Sequence, residues 1–163
     1  MTIFYQKLQT EMGTIHIAAD ANKLLAVTYA SANWERIKKR LGQVQNIQNT
    51  ITQQTSRQLR EYLAKERTEF DLPIAFNGTD FQIQTWQALL TIPYGETRSY
   101  SQQAELIGRP KAVRAVGATN GLNPIGIIVP CHRVIGKSGK LTGYAGGLNV
   151  KEFLLRLEGS LRE

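Results

Sequence analysis

Apolar and polar positions alternate along the first stretch of the chain with a period that suits strands. Ile3 to Leu8, Thr14 to Ala19 and Lys23 to Tyr29 are rich in β-branched, aromatic and aliphatic residues, and Met12-Gly13 and Asp20-Ala21-Asn22 between them carry turn chemistry. This predicts a three-stranded β-meander. The period then lengthens: Trp34 to Leu41 reads as a short basic helix, and Thr55 to Lys65 sets Leu59, Tyr62 and Leu63 on one face of another. Phe70 to Ile74 is a further candidate strand. Asn77-Gly78-Thr79-Asp80 then forms a loop with a helix-capping residue at its end, which divides the chain into domains 1–78 and 79–163.

The second domain reads as mostly helical. Phe81 to Leu90 sets Ile83, Trp86, Leu89 and Leu90 on one face, and Pro93-Tyr94-Gly95 ends it. Ser101 can cap a helix to Ile107 that Gly108 closes, and Pro110 suits the first turn of a further helix ending before Gly121. Two short helices about a Gly108-Arg109 turn make a candidate helix-turn-helix. In the second of them Val113, Val116 and Gly117 look inward, while Lys111, Arg114, Ala115 and Ala118 recur at helical spacing on the other side. Two cations among small residues permit close approach to a phosphate-lined groove. The expected fold class is α+β: a small N-terminal antiparallel sheet with helix, packed on a mostly α-helical C-terminal domain.

Composition narrows the function classes. The chain has 163 residues, one cysteine, two histidines and a formal charge of +7. That length allows one domain or two small ones, and no run approaches the roughly 20 apolar residues of a membrane span. The start lacks the pattern of a secretory signal and one cysteine forms no internal disulfide, so a cytoplasmic protein is expected. Cys131, His16 and His132 are too few for a structural zinc site, and neither metal nor membrane is expected as a partner. The charge is concentrated: residues 98–140 hold Arg98, Arg109, Lys111, Arg114, Arg133, Lys137 and Lys140 against Glu105 alone. Clustered cations are the footprint of a polyanion partner, or else a solvated basic face.

Chemistry concentrates around the cysteine. Ile125 to Val129 suits a buried strand or extended segment, and Pro130 would end any ladder just before Cys131. His132 can serve as a base and Arg133 favours the thiolate, the reactive form of the sulfur. Adjacent side chains in an extended chain point apart, so a contact between His132 and Cys131 needs a turn or a bridging water. The last helix opens with Asn149 as cap, Glu152 in a capping box and a Leu148 to Phe153 staple. Val150, Phe153, Leu154 and Leu157 form its expected buried face, and Gly159 ends it. Glu158 then sits in the final turn, where a carboxylate opposes the helix dipole and calls for a cationic or donor partner: His132, Arg156 or solvent.

Pro130-Cys131-His132-Arg133-Val134, Arg114-Ala115-Val116-Gly117, Asn123-Pro124 and Gly143-Tyr144-Ala145-Gly146-Gly147 stand in order between Phe81 and Gly159. In these motifs the chain resembles the O6-alkylguanine-DNA alkyltransferases, in their free-standing bacterial form. The resemblance implies a ribonuclease H-like N-terminal domain and a helix-turn-helix lying in the minor groove. It implies that Cys131 accepts the alkyl group, that His132 acts on it through a water with Glu158 orienting His132, and that Asn123 braces the segment before the cysteine. Tyr100 would donate to the departing guanine, and Arg114 would fill the gap left by the flipped nucleotide. Ala115, Ala118, Lys111 and Arg133 would also meet DNA. Val134, Tyr144, Ala145 and Gly146 would line the base pocket, and Gly126, in place of a proline, would leave it roomier. The partner implied is double-stranded DNA containing O6-alkylguanine, with O4-alkylthymine as a further substrate, met by a monomer without cofactor. Two other readings remain: a lesion-binding protein that transfers nothing, and a small Cys-His-Glu hydrolase that turns over through an acyl intermediate.

Overall fold

In the computed structural model, residues 2–29, 31–136 and 148–161 are described, with the side chains of Leu148 and Asn149 outside that set. The chain divides into two units, Met1–Phe76 with Pro124–Ile128, and Asn77–Asn123 with Val129–Glu163.

The first unit is built on the expected meander, β1 (Ile3–Thr10), β2 (Gly13–Ala19) and β3 (Leu24–Thr28). Gly13, at φ +102°, makes the β1 to β2 turn in a region that side chains disfavour. A short strand β4 (Val44–Gln45), absent from the sequence reading, joins the edge parallel to β1, so the sheet runs β3-β2-β1-β4 and is mixed. Helix α1 (Ser31–Leu41) starts three residues before its expected start and buries Trp34 and Ile37 against Ile3, Tyr5, Ala18 and Ala26. The apolar residues of the opposite parity, among them Leu8, Ile15 and Ile17, are buried on the other face, and α2 (Thr50–Leu63) packs on β1 and β2.

Helix α2 begins five residues earlier than the apolar pattern implied, because Asn49 caps it. Its side chain accepts from the Thr52 N–H, and the Thr52 hydroxyl accepts from the Asn49 N–H. Phe70 to Ile74 is not a strand. It meets β3 through one bridge, Leu24 to Ile74, and is tied to α2 by Gln58, whose side chain both donates to and accepts from the Asp71 backbone at 3.0 and 2.9 Å. Pro73 has no N–H to extend the ladder.

The second unit starts with α3 (Asp80–Leu89), capped by Thr79 with Gln82 in a capping box; Leu90, expected on its buried face, is exposed. β5 (Arg98–Ser99) leads into α4 (Tyr100–Leu106), capped by Ser99 rather than Ser101. Gly108 at φ +74° closes α4 as expected. Pro110 lies in the turn, and α5 (Val113–Asn120) begins three residues beyond it. Two interior amides lock these helices together: Gln103 and Asn120 exchange hydrogen bonds at 2.9 and 2.7 Å, and Gln103 also donates to the Thr85 carbonyl. The Trp86 indole adds a bond to the Thr119 carbonyl at 2.9 Å. The unit ends with a 3-10 turn (Cys131–Arg133), β6 (Val134–Ile135) paired parallel to β5, and α6 (Leu148–Leu157). Among the described residues no helix is long and apolar enough to cross a membrane.

Candidate active site

The residues before Cys131 are not extended. Val27 donates to the Pro124 carbonyl and Gly126 donates back to Val27, which makes a single bridge at Ile125 instead of a strand. Gly126 is packed closely: a Cβ there would stand 3.3 Å from the Val27 carbonyl oxygen. A proline at this position would also lack the N–H that Val27 receives, so the glycine serves this contact. Ile127 then adopts φ +70°, rare for a β-branched residue, within a γ-turn closed by the Ile128 N–H on the Gly126 carbonyl at 2.8 Å. Asn123 braces the exit from this turn. Its Nδ2 donates to the Val129 carbonyl at 2.8 Å and to Cys131 Sγ at 3.3 Å.

The 3-10 turn at Cys131–Arg133 buries the side chains of His132 and Arg133. His132 is fully buried, with Nε2 at 2.8 Å from Glu158 Oε2. Arg133 grips the same carboxylate through Nε at 2.9 Å and Nη2 at 3.0 Å, and its Nη1 donates to the Ile92 carbonyl at 2.7 Å. This corrects one expectation. Arg133 is 7% exposed and committed to internal partners, so it is not a surface cation for DNA, and its charge is directed at Glu158 and not at the thiol. Of the three candidate partners of Glu158, His132 is engaged; Arg156 pairs with Glu152 at 2.7 Å.

The electrostatics follow from this burial. Burial alone would raise Glu158, but hydrogen bonds from His132 and Arg133 outweigh it and hold the carboxyl at about 2. An ionised Glu158 is purely an acceptor, so His132 must carry its proton on Nε2, which leaves Nδ1 with a free lone pair. That nitrogen is buried without a hydrogen-bond partner among the described residues. Burial also pushes the His132 value down against the pull of Glu158, so the imidazole is held neutral. The Cys131 thiol is pushed up to about 11 by burial, with the Asn123 hydrogen bond and the charge of Lys151 acting to lower it.

Lys151 is the residue that sequence reasoning missed. The buried positions of α6 are Lys151, Leu154 and Leu155, followed by Glu158 just past its end, while Val150, Phe153 and Leu157 are half-buried. Lys151 is completely buried, its ammonium 3.4 Å from the Tyr100 hydroxyl and over the Tyr100 ring, and burial lowers it to about 8. Its spacing from Glu158, seven residues on one helical face through Leu154, was the available signal. The cap and staple expected at Asn149 and Leu148 rest on side chains outside the described residues.

The remaining expected residues fall in three groups. Arg114, Ala115 and Ala118 are exposed together on α5 and Lys111 is exposed in the turn before it, while Val116 is buried behind them. Val134 is fully buried in the β5–β6 pair. Tyr144, Ala145 and Gly146 lie outside the described residues, as do Lys137 and Lys140. The basic run is accordingly not one face: Arg98 pairs with Glu96 at 3.0 Å, Arg109 lies over Phe81, and Arg133 is interior. Among the described residues no cluster of His, Cys, Asp and Glu could hold a metal ion.

Comparison with known proteins adds independent findings. Residues 80–160 match the family described as 6-O-methylguanine DNA methyltransferase, DNA binding domain, and residues 3–76 its ribonuclease-like domain. The chain is 49% identical to the methylated-DNA–protein-cysteine methyltransferase of Methanosarcina acetivorans, over 97% of this chain and 99% of that one. It is 42% identical to the constitutive methylated-DNA–protein-cysteine methyltransferase of Bacillus subtilis, over 95% and 94%. The crystal structure of Mycobacterium tuberculosis O6-methylguanine methyltransferase superposes with a TM-score of 0.87 at 47% identity, over 97% and 93%. The M. tuberculosis protein in complex with DNA gives 0.85 at 44%, over 98% and 94%.

Proposed function

The chain belongs to the 6-O-methylguanine DNA methyltransferase family, and from that membership we propose a single-use repair reaction in which Cys131 takes the alkyl group from O6-alkylguanine in duplex DNA. It is a methylated-DNA–protein-cysteine methyltransferase by its relatives. The observation that carries the assignment of residues is the buried His132–Glu158 pair directly after Cys131 in the chain, with His132 Nδ1, which has no partner among the described residues, left to receive a proton.

The chemistry then runs as follows. A thiol at about 11 is protonated in the resting protein, so the sulfur must lose its proton as it reacts. His132 Nδ1 takes that proton through a water, and the positive charge it acquires faces Glu158. The sulfur attacks the alkyl carbon, an S–C bond forms, and the C–O6 bond breaks with its electron pair leaving on guanine. Tyr100 donates a proton to that guanine, and Lys151 at 3.4 Å supplies one to Tyr100 in turn. The product is a thioether with no carbonyl for water to attack, so each molecule acts once and needs no cofactor. The hydrolase reading depends on an acyl intermediate and on turnover, and nothing among the described residues of the site favours it. All side chains in this scheme come from one chain, so a monomer suffices.

For DNA, the exposed α5 face of Arg114, Ala115 and Ala118 supports contact through a helix-turn-helix formed by α4 and α5, with Arg114 filling the space of the flipped nucleotide. Lesion choice, including O4-alkylthymine, is the role expected of Tyr144, Ala145 and Gly146, which lie outside the described residues. The reading is tested by titrating the protein with a duplex carrying one O6-methylguanine. Repair that stops at one lesion per protein supports it; continued turnover, or binding without loss of the methyl group, contradicts it.

A further inference from the structure

Helix α1, singled out by its basic sequence, takes no part in the site described above. After Glu35 the chain carries no carboxylate until Glu61, and residues 36–60 include six Lys or Arg. Lys38 and Lys39 lie exposed in the last turn of α1. Gly42, at φ +86°, ends the helix, and the chain continues through exposed Gln43, Gln45 and Gln48 around Ile47, which is 52% exposed. This segment is held in place: the Tyr5 N–H donates to the Ile47 carbonyl at 3.0 Å, and Val44–Gln45 pairs with β1. The surface is therefore a fixed strip of cations and amides.

Cations at a helix C-terminus also favour the helix dipole, which accounts for Lys38 and Lys39 alone. It does not account for the missing carboxylates or for the exposed glutamines beyond the helix end. A surface selected only for solubility would mix both signs of charge. Lysines with glutamine and asparagine amides are the side chains that hydrogen-bond phosphate oxygens without reading sequence.

We infer that the C-terminal turn of α1 and the strip that follows it form a second contact to the phosphate backbone of double-stranded DNA, separate from α5. The inference rests on the DNA-repair reading above. It assigns the N-terminal unit a share of the sequence-independent affinity, which sets how the protein engages undamaged duplex while it searches. Each phosphate neutralised contributes about 0.9 to the slope of log K against log salt.

The test compares the full-length protein with its Lys38→Gln/Lys39→Gln double variant, measuring affinity for an undamaged duplex across a potassium chloride series. Both positions are exposed, and matched thermal unfolding confirms that the variant folds. The expected result is a slope shallower by about 1.8, with the single-turnover transfer rate at saturating damaged duplex unchanged. A Lys38→Glu/Lys39→Glu variant should weaken binding further at every salt concentration. A double-variant slope equal to that of the parent, while the parent binds and repairs DNA, overturns this inference alone and makes an acidic protein surface the fitting partner. A parent that neither binds nor repairs the duplex overturns the proposed function, and this inference with it.

Discussion

In the unit Met1–Phe76 the buried polar side chains are neutral, among them Thr28, Thr52, Thr55, Ser56 and Gln58, and those whose bonds are described serve nearby backbone: Thr55 donates to the Ile51 carbonyl and Gln58 holds Asp71. The unit Asn77–Asn123 with Val129–Glu163 buries His132, Arg133, Lys151 and Glu158 in addition to the amides that lock its helices. Buried charge is expensive unless paired, and replacement by apolar groups is often neutral or stabilising. The first unit therefore shows what this chain does when burial serves only folding. The second departs from it where the reaction is proposed, and the contrast separates scaffold from chemistry.

The largest break in this comparison should come from Glu158→Ala. Arg133 would be left as an uncompensated buried charge and His132 without its orienting partner. Denaturant unfolding should show a loss of about 3–5 kcal/mol, and single-turnover transfer should slow by about 10² to 10⁴. A loss under about 1 kcal/mol would mean that the carboxylate does not organise the site.

Acid should act on the same cluster. Glu158 is held at about 2, below its ordinary value, so its contribution is full above the unfolded value and is lost as pH falls toward 2. His132 is lowered as well: the unfolded chain protonates it before the folded one does, so stability begins to fall as pH drops below about 6.5. On the alkaline side Lys151, at about 8, gains stability as pH rises from there toward its unfolded value, while Cys131, raised to about 11, loses stability as pH approaches that value. A pH series of unfolding midpoints should show the parent losing stability as pH falls from about 4.5 toward 2 and Glu158→Ala lacking that fall, while the fall below about 6.5 that His132 contributes persists in both; identical behaviour below about 4.5 would place that acid sensitivity elsewhere.

A sharper test of scaffold against chemistry is Lys151→Met. Its ammonium is held in the interior against burial, so removing it should leave stability unchanged or higher by about 1 kcal/mol, while transfer slows by about tenfold or more. A variant that unfolds more easily, with its transfer rate intact, would make Lys151 part of the scaffold. The smallest effect belongs to the first unit: Thr55→Ala removes one buried hydrogen bond for about 1 kcal/mol, with no change in transfer rate. A change in rate there would blur the division between the units.

These contrasts also explain what could be read in advance. The meander and the outward face of α5 are legible because period and spacing act locally; the dipole argument at Glu158 calls for a partner but leaves His132, Arg156 and solvent open, and only the family resemblance points to His132. The buried face of α6 was misjudged, since a search for apolar periodicity passes over Lys151 and Glu158, and those two residues define the face around Leu154. The charge of Arg133 suggests the thiolate or DNA as its partner; a 3-10 turn, which sequence adjacency does not reveal, turns it toward Glu158. Ser99 and Ser101 each stand before a helical run, and Gln102, placed three residues after Ser99, decides the cap. The two-residue strand β4 is too short to leave a period, and the γ-turn at Ile127 depends on bonds to Val27, far away in sequence.

The central claim is that the single cysteine is the acceptor. After reaction with one equivalent of duplex containing O6-methylguanine, peptide mass mapping should find one methyl group on Cys131 and none elsewhere, with Cys131→Ala still binding the duplex and transferring nothing. A methyl group on another residue, or lost from DNA with Cys131 unmodified, would contradict the account.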